Sequence, residues 1–334
     1  MNDMFDGKKI LITGGTGSLG KYLTKKLLKE NVDTIRIFSR DEWKQIQMQN
    51  EIDDKRLRFL IGDVRDKDRL ARAVEGIDIV IHAAALKHVP IAEYNPFEAI
   101  KTNVFGSQNL IECCLDADVE KVLAVGTDKA VSPLNTYGAS KMLMERLFIS
   151  ANNYKGEHNT KFLCVRYGNV LGSRGSLLPL VFSKIQNGED IPVTDPNMTR
   201  FNITMNDAVQ LIFRALNNSH GGEIFIPNLK AYKVKDMISA LLTFKNANNK
   251  EKKIPVRTGE KFHEVLINHE ELRNTYQTNN DFLIIENPTS LHKNDKNLSK
   301  NTSMTSDYGS NTVPLLTPDE IISIVKTDDL IANY

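Results

Sequence analysis

A chain of 334 residues has room for one large α/β domain with a smaller satellite, or for two domains. Its 43 lysine and arginine residues nearly balance its 42 aspartate and glutamate residues, so the formal net charge is +1. This balance gives no support to nucleic acid or an anionic membrane surface as the main partner.

The sequence also argues against a signal peptide, a membrane helix, a cysteine metal site and a disulfide framework. The N-terminal residues lack the apolar core of a signal peptide, and no apolar run approaches the roughly 18 residues that a membrane helix needs. Cys113, Cys114 and Cys164 have no metal-ligand spacing and are too few for a disulfide framework. The sequence therefore predicts a soluble cytoplasmic protein with no metal site.

The first predicted element is a strand over residues 8–13, which a glycine-rich turn follows at once. An amphipathic helix over 21–29 comes next, so strand, turn and helix stand in the order that a dinucleotide fingerprint requires. The glycines fit two registers, Gly15-x-Gly17-x-x-Gly20 and Gly14-x-x-Gly17-x-x-Gly20. Because such a turn brings the backbone and a helix N-terminus to a pyrophosphate, the pattern predicts nucleotide binding.

The second predicted strand, over 34–39, ends where the ribose of the adenosine is expected. An acidic residue there holds the 2′-hydroxyl of NAD, whereas an arginine suits the 2′-phosphate of NADP. In this chain Arg40 and Lys44 favour NADP, while Asp41 and Glu42 between them leave NAD open.

Two further strands are predicted over 58–63 and 77–83. The first ends in Asp63-Val64, a predicted adenine contact. The second ends in small residues from Ala83 onward, which let a cofactor lie against the backbone. Lys87 follows within reach of a phosphate or of the nicotinamide ribose.

A helix over 96–115 and strands over 121–125 and 161–167 continue the alternation, which indicates a parallel, doubly wound sheet. Asp128 and Lys129 follow the strand 121–125 directly. Open parallel sheets place their ligands at the carboxyl ends of their strands. An acid and a base side by side at that point suggest chemistry beyond plain alcohol oxidation.

Tyr137 and Lys141 are four residues apart in a predicted helix, so their side chains lie on one face. A lysine ammonium beside a phenol favours the phenolate and lowers the tyrosine pKa. The result is a general base that takes a proton from an alcohol while hydride leaves the same carbon. The pattern is short and common, and it gains weight from the nucleotide signature and from Asp128-Lys129.

The pattern changes after residue 167. Further predicted elements are a glycine-rich loop over 168–176, a turn-rich stretch over 194–201, a helix over 206–216, a strand over 223–226, a loose loop over 291–312 and a final helix opening at Thr317. We therefore predict an α/β Rossmann domain that binds NADP over residues 1–168, to which 198–226 return. A smaller substrate-binding region over 169–197 and 227–334 is predicted beside it.

Several motifs in fixed order give the chain a specific resemblance over residues 4–285. They are the glycine turn in its Gly14 register, Ser39–Glu42, Gly62–Asp66, Ala83–Pro90, Thr127–Ala130, Tyr137 with Lys141, Arg166–Asn169, Gly172–Gly175, Met198–Phe201 and Gly259–Lys261. The chain resembles the extended short-chain dehydrogenases/reductases, and within them the inverting UDP-N-acetylglucosamine 4,6-dehydratases of pseudaminic acid and related bacterial surface-sugar pathways. The resemblance also implies a homo-oligomer.

The resemblance implies a role for each matching residue. The implied catalytic residues are Thr127, Asp128, Lys129, Tyr137 and Lys141. The implied NADP contacts are Gly14, Thr16, Gly17, Ser18, Leu19, Gly20, Ser39, Arg40, Asp41, Glu42, Trp43, Lys44, Asp63, Val64, Ala83, Lys87, Gly126, Thr127, Tyr137, Lys141, Val170, Leu171, Gly172, Ser173 and Arg174. The implied contacts to the UDP-sugar are Lys87, Asn169, Leu177, Thr194, Arg257 and Glu260.

In the implied chemistry, Tyr137 serves hydride transfer at C4, Lys129 is the base at C5 and Asp128 is the acid at C6. A lysine acts as a base only if its pKa falls, which partial burial and the charge of Lys141 are expected to promote. Two departures from the pattern are Gly126, where serine is usual, and Thr258, where proline is usual. The first implies one fewer hydroxyl near the nicotinamide.

Three alternatives stay open on sequence alone. A UDP-sugar 4-epimerase uses the same tyrosine, lysine and cofactor but does not need the Asp128-Lys129 pair. Retaining dehydratases resemble the chain but place Asp-Glu at that point. A non-catalytic NADPH-binding regulator on the same fold belongs to a different class, and such proteins tend to lose the tyrosine and lysine that are intact here.

Overall fold

Short β-rich runs alternate with amphipathic helices along the chain, and the computed structural model describes residues 3–173, 175–257, 259–301 and 303–327. The strands are β1 Lys9–Thr13, β2 Thr34–Ser39, β3 Leu57–Ile61, β4 Ile79–His82, β5 Lys121–Val125, β6 Lys161–Val165, β7 Ile191–Val193, β8 Thr199–Phe201, β9 Glu223–Pro227, β10 Ala231–Lys233, β11 Glu251–Lys253, β12 Val265–Ile267, β13 Thr275–Gln277, β14 Asp281–Ile285, β15 Ser299–Lys300 and β16 Tyr308–Gly309. The α-helices are α1 Ser18–Leu27, α2 Glu42–Glu51, α3 Lys67–Val74, α4 Val89–Tyr94, α5 Pro96–Ile100, α6 Gly106–Asp116, α7 Thr136–Tyr154, α8 Leu177–Gln186, α9 Met205–Asn218, α10 Val234–Lys245, α11 Ser290–Asn294 and α12 Pro318–Thr327.

Seven parallel strands form the main sheet in the order β3-β2-β1-β4-β5-β6-β9. The order reverses between β1 and β4, which makes the crevice beyond their carboxyl ends the expected ligand site of such a sheet. The predicted doubly wound α/β sheet is therefore confirmed. Three antiparallel strands, β14, β13 and β15, extend it beyond β9, an addition that the sequence did not predict.

Alternating side chains of the parallel strands build a core on each face of the sheet. In β1, Leu11 packs into the cluster that contains α3, α6 and α7, whereas Ile10 and Ile12 pack into the cluster that contains α1 and α9. Since successive side chains of a strand point to opposite faces, both faces need apolar residues, as β1 has.

A third apolar cluster, separate from the sheet, joins α8, α10 and α12 through residues such as Phe182, Leu241 and Val325. The short strands β7 and β11 pair with each other beside it. Among the described residues, no helix is both long and apolar enough to cross a membrane.

Two predictions about local structure need correction. The helix expected over 96–115 is α5, a π-helical stretch Lys101–Phe105 and then α6. The loose loop expected over 291–312 contains β15 and β16, and Tyr308 and Ser310 within it are buried. The polar composition of this segment predicted a loose loop, but its side chains form hydrogen bonds with the rest of the fold. For example, the amide of Leu229 donates to the Tyr308 hydroxyl at 2.7 Å.

Candidate active site

The segment after β5 carries the predicted acid and base. Thr127 caps a single 3-10 turn, Asp128–Ala130, by accepting a hydrogen bond from the amide of Lys129. The Thr127 hydroxyl donates to Asp128 Oδ1 at 3.0 Å, and Asp128 is only 1% exposed. A cap and a short turn thus hold the acid at the carboxyl end of a central strand.

Lys129 Nζ lies among three oxygen atoms. It is 3.1 Å from Asp128 Oδ1, 3.2 Å from Asn169 Oδ1 and 3.4 Å from Glu264 Oε1. Burial alone would lower the pKa of Lys129, but the charges of Asp128 and Glu264 outweigh burial and raise the pKa above its ordinary value. The prediction of a lowered Lys129 pKa is therefore wrong for the resting chain, because two buried carboxylates surround the amine.

Tyr137 and Lys141 both lie buried on α7, as their spacing predicted. Burial raises the pKa of Tyr137, while the charge of Lys129 and a hydrogen bond with Thr127 oppose that rise. The prediction of a lowered Tyr137 pKa is wrong, because burial dominates. The Lys141 ammonium lies 2.9 Å from Met144 Sδ, and burial lowers the Lys141 pKa to about 8.

The start of α7 is tied to the segment around residue 259. Asn135 caps the helix by accepting from the amide of Gly138 at 2.8 Å, and its side-chain amide donates to the carbonyl of Gly259 at 2.9 Å. Gly259 has a φ of +70°, and a Cβ there would lie 2.6 Å from the Asn135 Cβ. Close backbone approach therefore joins Tyr137's helix to the segment that carries Glu260.

The glycine turn after β1 has the tight geometry that a nucleotide site needs. Gly14 has a φ of +67°, and a Cβ there would lie 2.8 Å from the backbone nitrogen of Ala84 after β4. A Cβ on Gly20 would lie 2.3 Å from the Gly15 carbonyl. Gly17 precedes α1 without any side-chain cap, so the first amides of the helix, from Ser18 onward, stay available to an anion.

The loop after β2 places its basic and acidic residues together. Asp41 caps α2 by accepting from the amide of Lys44 at 3.1 Å, and their side chains form an ion pair. Arg40 Nη1 lies 3.4 Å from Asp63 Oδ2, and its side chain is 56% exposed. Arg40 and Lys44 therefore flank one open edge of the crevice, with Asp63 bridging to the end of β3.

Other residues implied at the cofactor lie at the same crevice edge. Ser39 ends β2, Glu42 and the exposed Trp43 start α2, Val64 follows β3, and Ala83 and Lys87 follow β4. Thr16 and Leu19 lie within the turn and the first turn of α1. The structure thus gathers these residues around the switch point of the sheet.

A buried polar chain behind this crevice was not predicted from sequence. The Thr13 hydroxyl lies 2.7 Å from His82 Nδ1, and His82 Nε2 lies 3.1 Å from the Ser107 hydroxyl. The Asn103 side chain, inside the π-helical stretch, bonds the backbone of Leu86 and the Ser140 hydroxyl. Burial lowers the His82 pKa to about 3, so this chain is a neutral support for the loop after β4.

The segment 169–173 forms a turn beside the acid and base. Asn169 contacts Lys129, the amide of Leu171 donates to the Ile203 carbonyl at 2.9 Å, and the Ser173 hydroxyl donates to the Val170 carbonyl at 2.7 Å. Gly172 supplies the positive φ of the turn, +70°. Arg174, predicted in this loop, and Thr258 lie outside the described residues.

The remaining residues implied at the substrate are spread over three elements. Leu177 begins α8, and the Thr194 hydroxyl, just after β7, lies 3.4 Å from Met198 Sδ. Arg257 and Glu260 share a turn, in which the Glu260 amide donates to the Arg257 carbonyl at 3.0 Å. Glu260 Oε1 is paired with Arg200 Nη2 at 3.2 Å, which brings β8 to this turn.

Arg166, quoted in the motif Arg166–Asn169, is a structural residue. Its guanidinium is buried between Glu145 of α7 and Glu271, at 2.7 Å and 3.0 Å, and it also donates to the Leu266 carbonyl. Glu145 also explains why position 126 is glycine: a Cβ on Gly126 would lie 2.3 Å from Glu145 Oε1. The departure from serine thus reflects a carboxylate that fills the space.

Comparison with known proteins agrees with this geometry. The strand order, the glycine turn and the helix of Tyr137 and Lys141 define the Rossmann fold of the extended short-chain dehydrogenases/reductases. The chain belongs to the family described as polysaccharide biosynthesis proteins, whose sequence profile matches residues 10–286.

Three curated relatives are similar over most of the chain. The inverting UDP-N-acetylglucosamine 4,6-dehydratase of Campylobacter jejuni strain 81-176 is 48% identical over 84% of each chain. A Methanocaldococcus jannaschii protein described as an uncharacterized membrane protein is 44% identical over 98% of this chain and 97% of its own. A Rickettsia bellii protein described as a UDP-glucose 4-epimerase is 41% identical over 84% of each chain.

Two solved structures share the fold. Pen from Bacillus thuringiensis has a TM-score of 0.92 at 38% identity and covers 98% of this chain and 99% of its own. The dTDP-glucose 4,6-dehydratase DesIV of Streptomyces venezuelae, solved with NAD bound, has a TM-score of 0.70 at 24% identity over 76% of this chain and 86% of its own. The second likeness supports the fold alone.

Proposed function

We propose that the protein is a UDP-N-acetylglucosamine 4,6-dehydratase that inverts the configuration at C5. The observation that carries the proposal is the pair of buried Asp128 and partly buried Lys129 at the end of β5, on the turn that precedes the helix of Tyr137. An acid and a base held 3.1 Å apart suit an elimination, in which one bond to hydrogen and one bond to hydroxyl break. The likeness to the Campylobacter enzyme supports the same choice of substrate.

Oxidation at C4 comes first, because a sugar's C5 proton becomes acidic only once C4 is a ketone. A nicotinamide cofactor, when bound, would supply the hydride chemistry. Tyr137, as the phenolate, takes the proton of the C4 hydroxyl. Burial raises the Tyr137 pKa overall, and the positive charge of Lys129 and the hydrogen bond with Thr127 limit that rise. Lys141 lies buried one helical turn after Tyr137, and burial lowers its pKa to about 8.

Elimination follows with a balanced movement of protons. A proton passes from Lys129 Nζ to Asp128 Oδ1, so an N–H bond breaks, an O–H bond forms and a free amine stands beside a carboxylic acid. The amine removes the C5 proton while Asp128 gives its proton to the departing 6-hydroxyl, which leaves as water. The pair is then back in its starting state, and the sugar carries a C5=C6 double bond beside the C4 ketone. Addition of a hydride at C6 and of a proton at the opposite face of C5 would give the inverted 6-deoxy-4-keto sugar.

The cofactor is proposed to be NADP. The turn at Gly14 leaves no room for a Cβ against Ala84, which fits a backbone that must approach a pyrophosphate. Arg40 and Lys44 would hold a 2′-phosphate at the open edge of the crevice. Asp41 would not compete with this contact, since it caps α2 and pairs with Lys44.

The UDP-sugar is proposed to lie between the sheet and the smaller region of α8, α10 and α12. Asn169 and Lys87 would hold it from the sheet side, and Arg257 and Glu260 from the turn beside Asn135. The division into an NADP-binding domain over 1–168, joined by 198–226, and a substrate-binding region over 169–197 and 227–334 is part of this proposal. So are a homo-oligomeric state and a place early in the synthesis of pseudaminic acid or a related surface sugar.

Incubation with UDP-N-acetylglucosamine, followed by mass spectrometry and NMR spectroscopy, tests the proposal. The expected early product has lost one water and has L-arabino configuration, and in deuterated water it carries deuterium at C5. Early sampling matters because a proton next to a ketone also exchanges without enzyme. An early D-xylo product would overturn inversion and leave the dehydratase.

The second candidate is a UDP-sugar 4-epimerase, the activity named for the Rickettsia bellii relative. An epimerase needs Tyr137, Lys141 and the cofactor, but it has no use for the acid and base of the Asp128-Lys129 pair. A product of unchanged mass and new configuration would establish this candidate. The absence of any product would instead favour a regulator.

A further inference from the structure

Glu264 is a buried carboxylate at the candidate active site that no sequence motif singled out as functional. It is 3% exposed, and its Oε1 lies 3.4 Å from Lys129 Nζ, which also lies 3.1 Å from Asp128 Oδ1. The amine therefore contacts two acids. One of them, Asp128, is next to Lys129 in sequence, and the other, Glu264, belongs to a segment far along the chain.

The fold fixes Glu264 by its backbone. The Glu264 amide donates to the Ser310 hydroxyl at 2.9 Å, and the Ser310 amide donates to the Glu264 carbonyl at 2.8 Å. The Ser310 hydroxyl also lies 2.6 Å from the Thr199 hydroxyl of β8. These contacts leave the carboxylate free to act on its neighbours, because none of them uses its side-chain oxygens.

Two side-chain oxygens in this cluster are buried and have no hydrogen-bond partner among the described residues: Asp128 Oδ2 and Glu264 Oε2. A buried oxygen without a partner is rare and needs an explanation. A carboxyl group that holds a proton for part of the time supplies one, since a neutral acid costs less to bury than an ion. The two oxygens thus point to proton exchange rather than to a purely structural ion pair.

The ionisable groups that face this cluster are Asp128, Lys129, Tyr137, Arg200, Tyr232 and Lys261. Of the cations, Lys129 lies closest to Glu264, while Arg200 Nε is 3.9 Å away and is also paired with Glu260. Burial, followed by repulsion from Asp128, raises the pKa of Glu264. A change in the charge of Glu264 therefore acts on Asp128 and on the amine of Lys129, which is the cation nearest to it.

We propose that Glu264 is a positioning residue that acts through Lys129: its ionised form holds the lysine as an ammonium, and its protonated form releases the amine for catalysis. The inference rests on the proposed dehydratase function. Ionised Glu264 attracts the ammonium of Lys129, so the free amine forms less readily. Protonated Glu264 removes that attraction, and the free amine forms more readily.

The first experiment measures the ionisation of Lys129 without any catalysis. The protein is prepared with isotope-labelled lysine, its NMR signals are followed against pH, and the Lys129 signal is assigned with Lys129→Arg. Glu264→Gln is expected to lower the Lys129 pKa by about one unit or more, since an opposite charge at this distance shifts a pKa by about 1–3 units. Lys141 serves as the internal control, and Glu264→Asp, which keeps the charge, should leave the Lys129 pKa near its wild-type value.

The second experiment compares the dehydration rates of Glu264→Gln and the wild type from about pH 6 to about pH 9. The ratio of variant to wild-type rate is expected to rise with pH, because only the wild type gains a charge that holds the ammonium. Taking the ratio cancels the pH dependence of the groups that both enzymes share. Glu223→Gln, which removes another buried carboxylate, paired with His292 at 2.8 Å, should give a ratio that does not change with pH.

The outcomes separate this inference from the function on which it rests. An unshifted Lys129 pKa in Glu264→Gln, or a rate ratio that stays constant or falls with pH, would overturn the role of Glu264. Wild-type protein that forms no dehydrated product would overturn the proposed function, while the NMR titration would still decide whether Glu264 controls Lys129.

Discussion

Replacing Lys129 with methionine should destabilise the fold as well as stop elimination, and the structure indicates by how much. Lys129 is the nearest cation to Asp128 and Glu264, which are 1% and 3% exposed. Removing one partner of a buried ion pair costs about 3–5 kcal/mol of unfolding free energy, because the other charge stays buried without compensation. The Lys129 side chain is itself 20% exposed, so we expect the lower end, about 3 kcal/mol.

That loss should depend on pH in a defined direction. Without the ammonium, nothing as close offsets burial and the repulsion from Asp128, so the folded-state pKa of Glu264 rises further above its unfolded value. A raised folded-state pKa contributes stability that is present below the unfolded pKa and is lost as pH rises through the folded one. The loss of unfolding free energy in Lys129→Met, relative to the wild type, should therefore be largest near about pH 8. It should become smaller on approach to about pH 5, by about 1.4 kcal/mol for each unit by which the folded-state pKa is raised.

Denaturant unfolding of the wild type and Lys129→Met at both pH values measures the effect. Adding Glu264→Gln to the variant removes one of the two charges and should restore part of the stability at the higher pH. Lys121→Met is a matched control, since the Lys121 ammonium is buried but donates to the Leu216 carbonyl. Its deficit should not shrink at the lower pH. Equal deficits for Lys129→Met at the two pH values would refute the idea that buried carboxylates depend on this amine.

Two further predictions concern the cofactor crevice and the turn after β5. Arg40→Ala should weaken NADP binding by about 1.5 kcal/mol, the low end for a charge-assisted bond because Arg40 is exposed and shared with Asp63, and should leave NAD binding nearly unchanged. Calorimetric titration with both cofactors measures this, and an equal loss for both would show that Arg40 does not contact the 2′-phosphate. Gly126→Ser, which restores the residue usual in the resembled enzymes, should lower the stability by about 1–3 kcal/mol because its Cβ would press on Glu145 Oε1 and the Val165 carbonyl. Thermal unfolding measures it, and an unchanged midpoint would show that Glu145 can move aside.

Local patterns predicted the sheet well because each strand carries its own signals. The strands β2 and β5 were predicted at their observed bounds, since apolar β-branched runs flanked by turn residues are read from a few neighbours. The glycine turn was predicted for the same reason. The segment 291–312 was not, because its order depends on partners such as Leu229 and Glu264, which no local pattern contains.

The positions of the predicted site residues in the fold could be read from the sequence, but their electrostatics could not. Spacing placed Tyr137 and Lys141 on one helix, yet it could not show that the cation acting on the phenol is Lys129 or that burial outweighs its charge. The position of Lys129 after a central strand was predicted as well. Its environment was not, because Glu264 reaches the amine from a segment far along the chain, and only the folded structure shows that approach.

The pairing of Lys129 with Glu264 bears on why this site carries a lysine at all. The resemblance implies that retaining dehydratases have Asp-Glu where this chain has Asp128-Lys129. With Glu264 in place, a glutamate at position 129 would put three carboxylates close together, and such like charges cannot all ionise there. A lysine instead balances both acids. Base identity at position 129 and the presence of an acid at position 264 are therefore physically linked, and a change of one requires a change of the other.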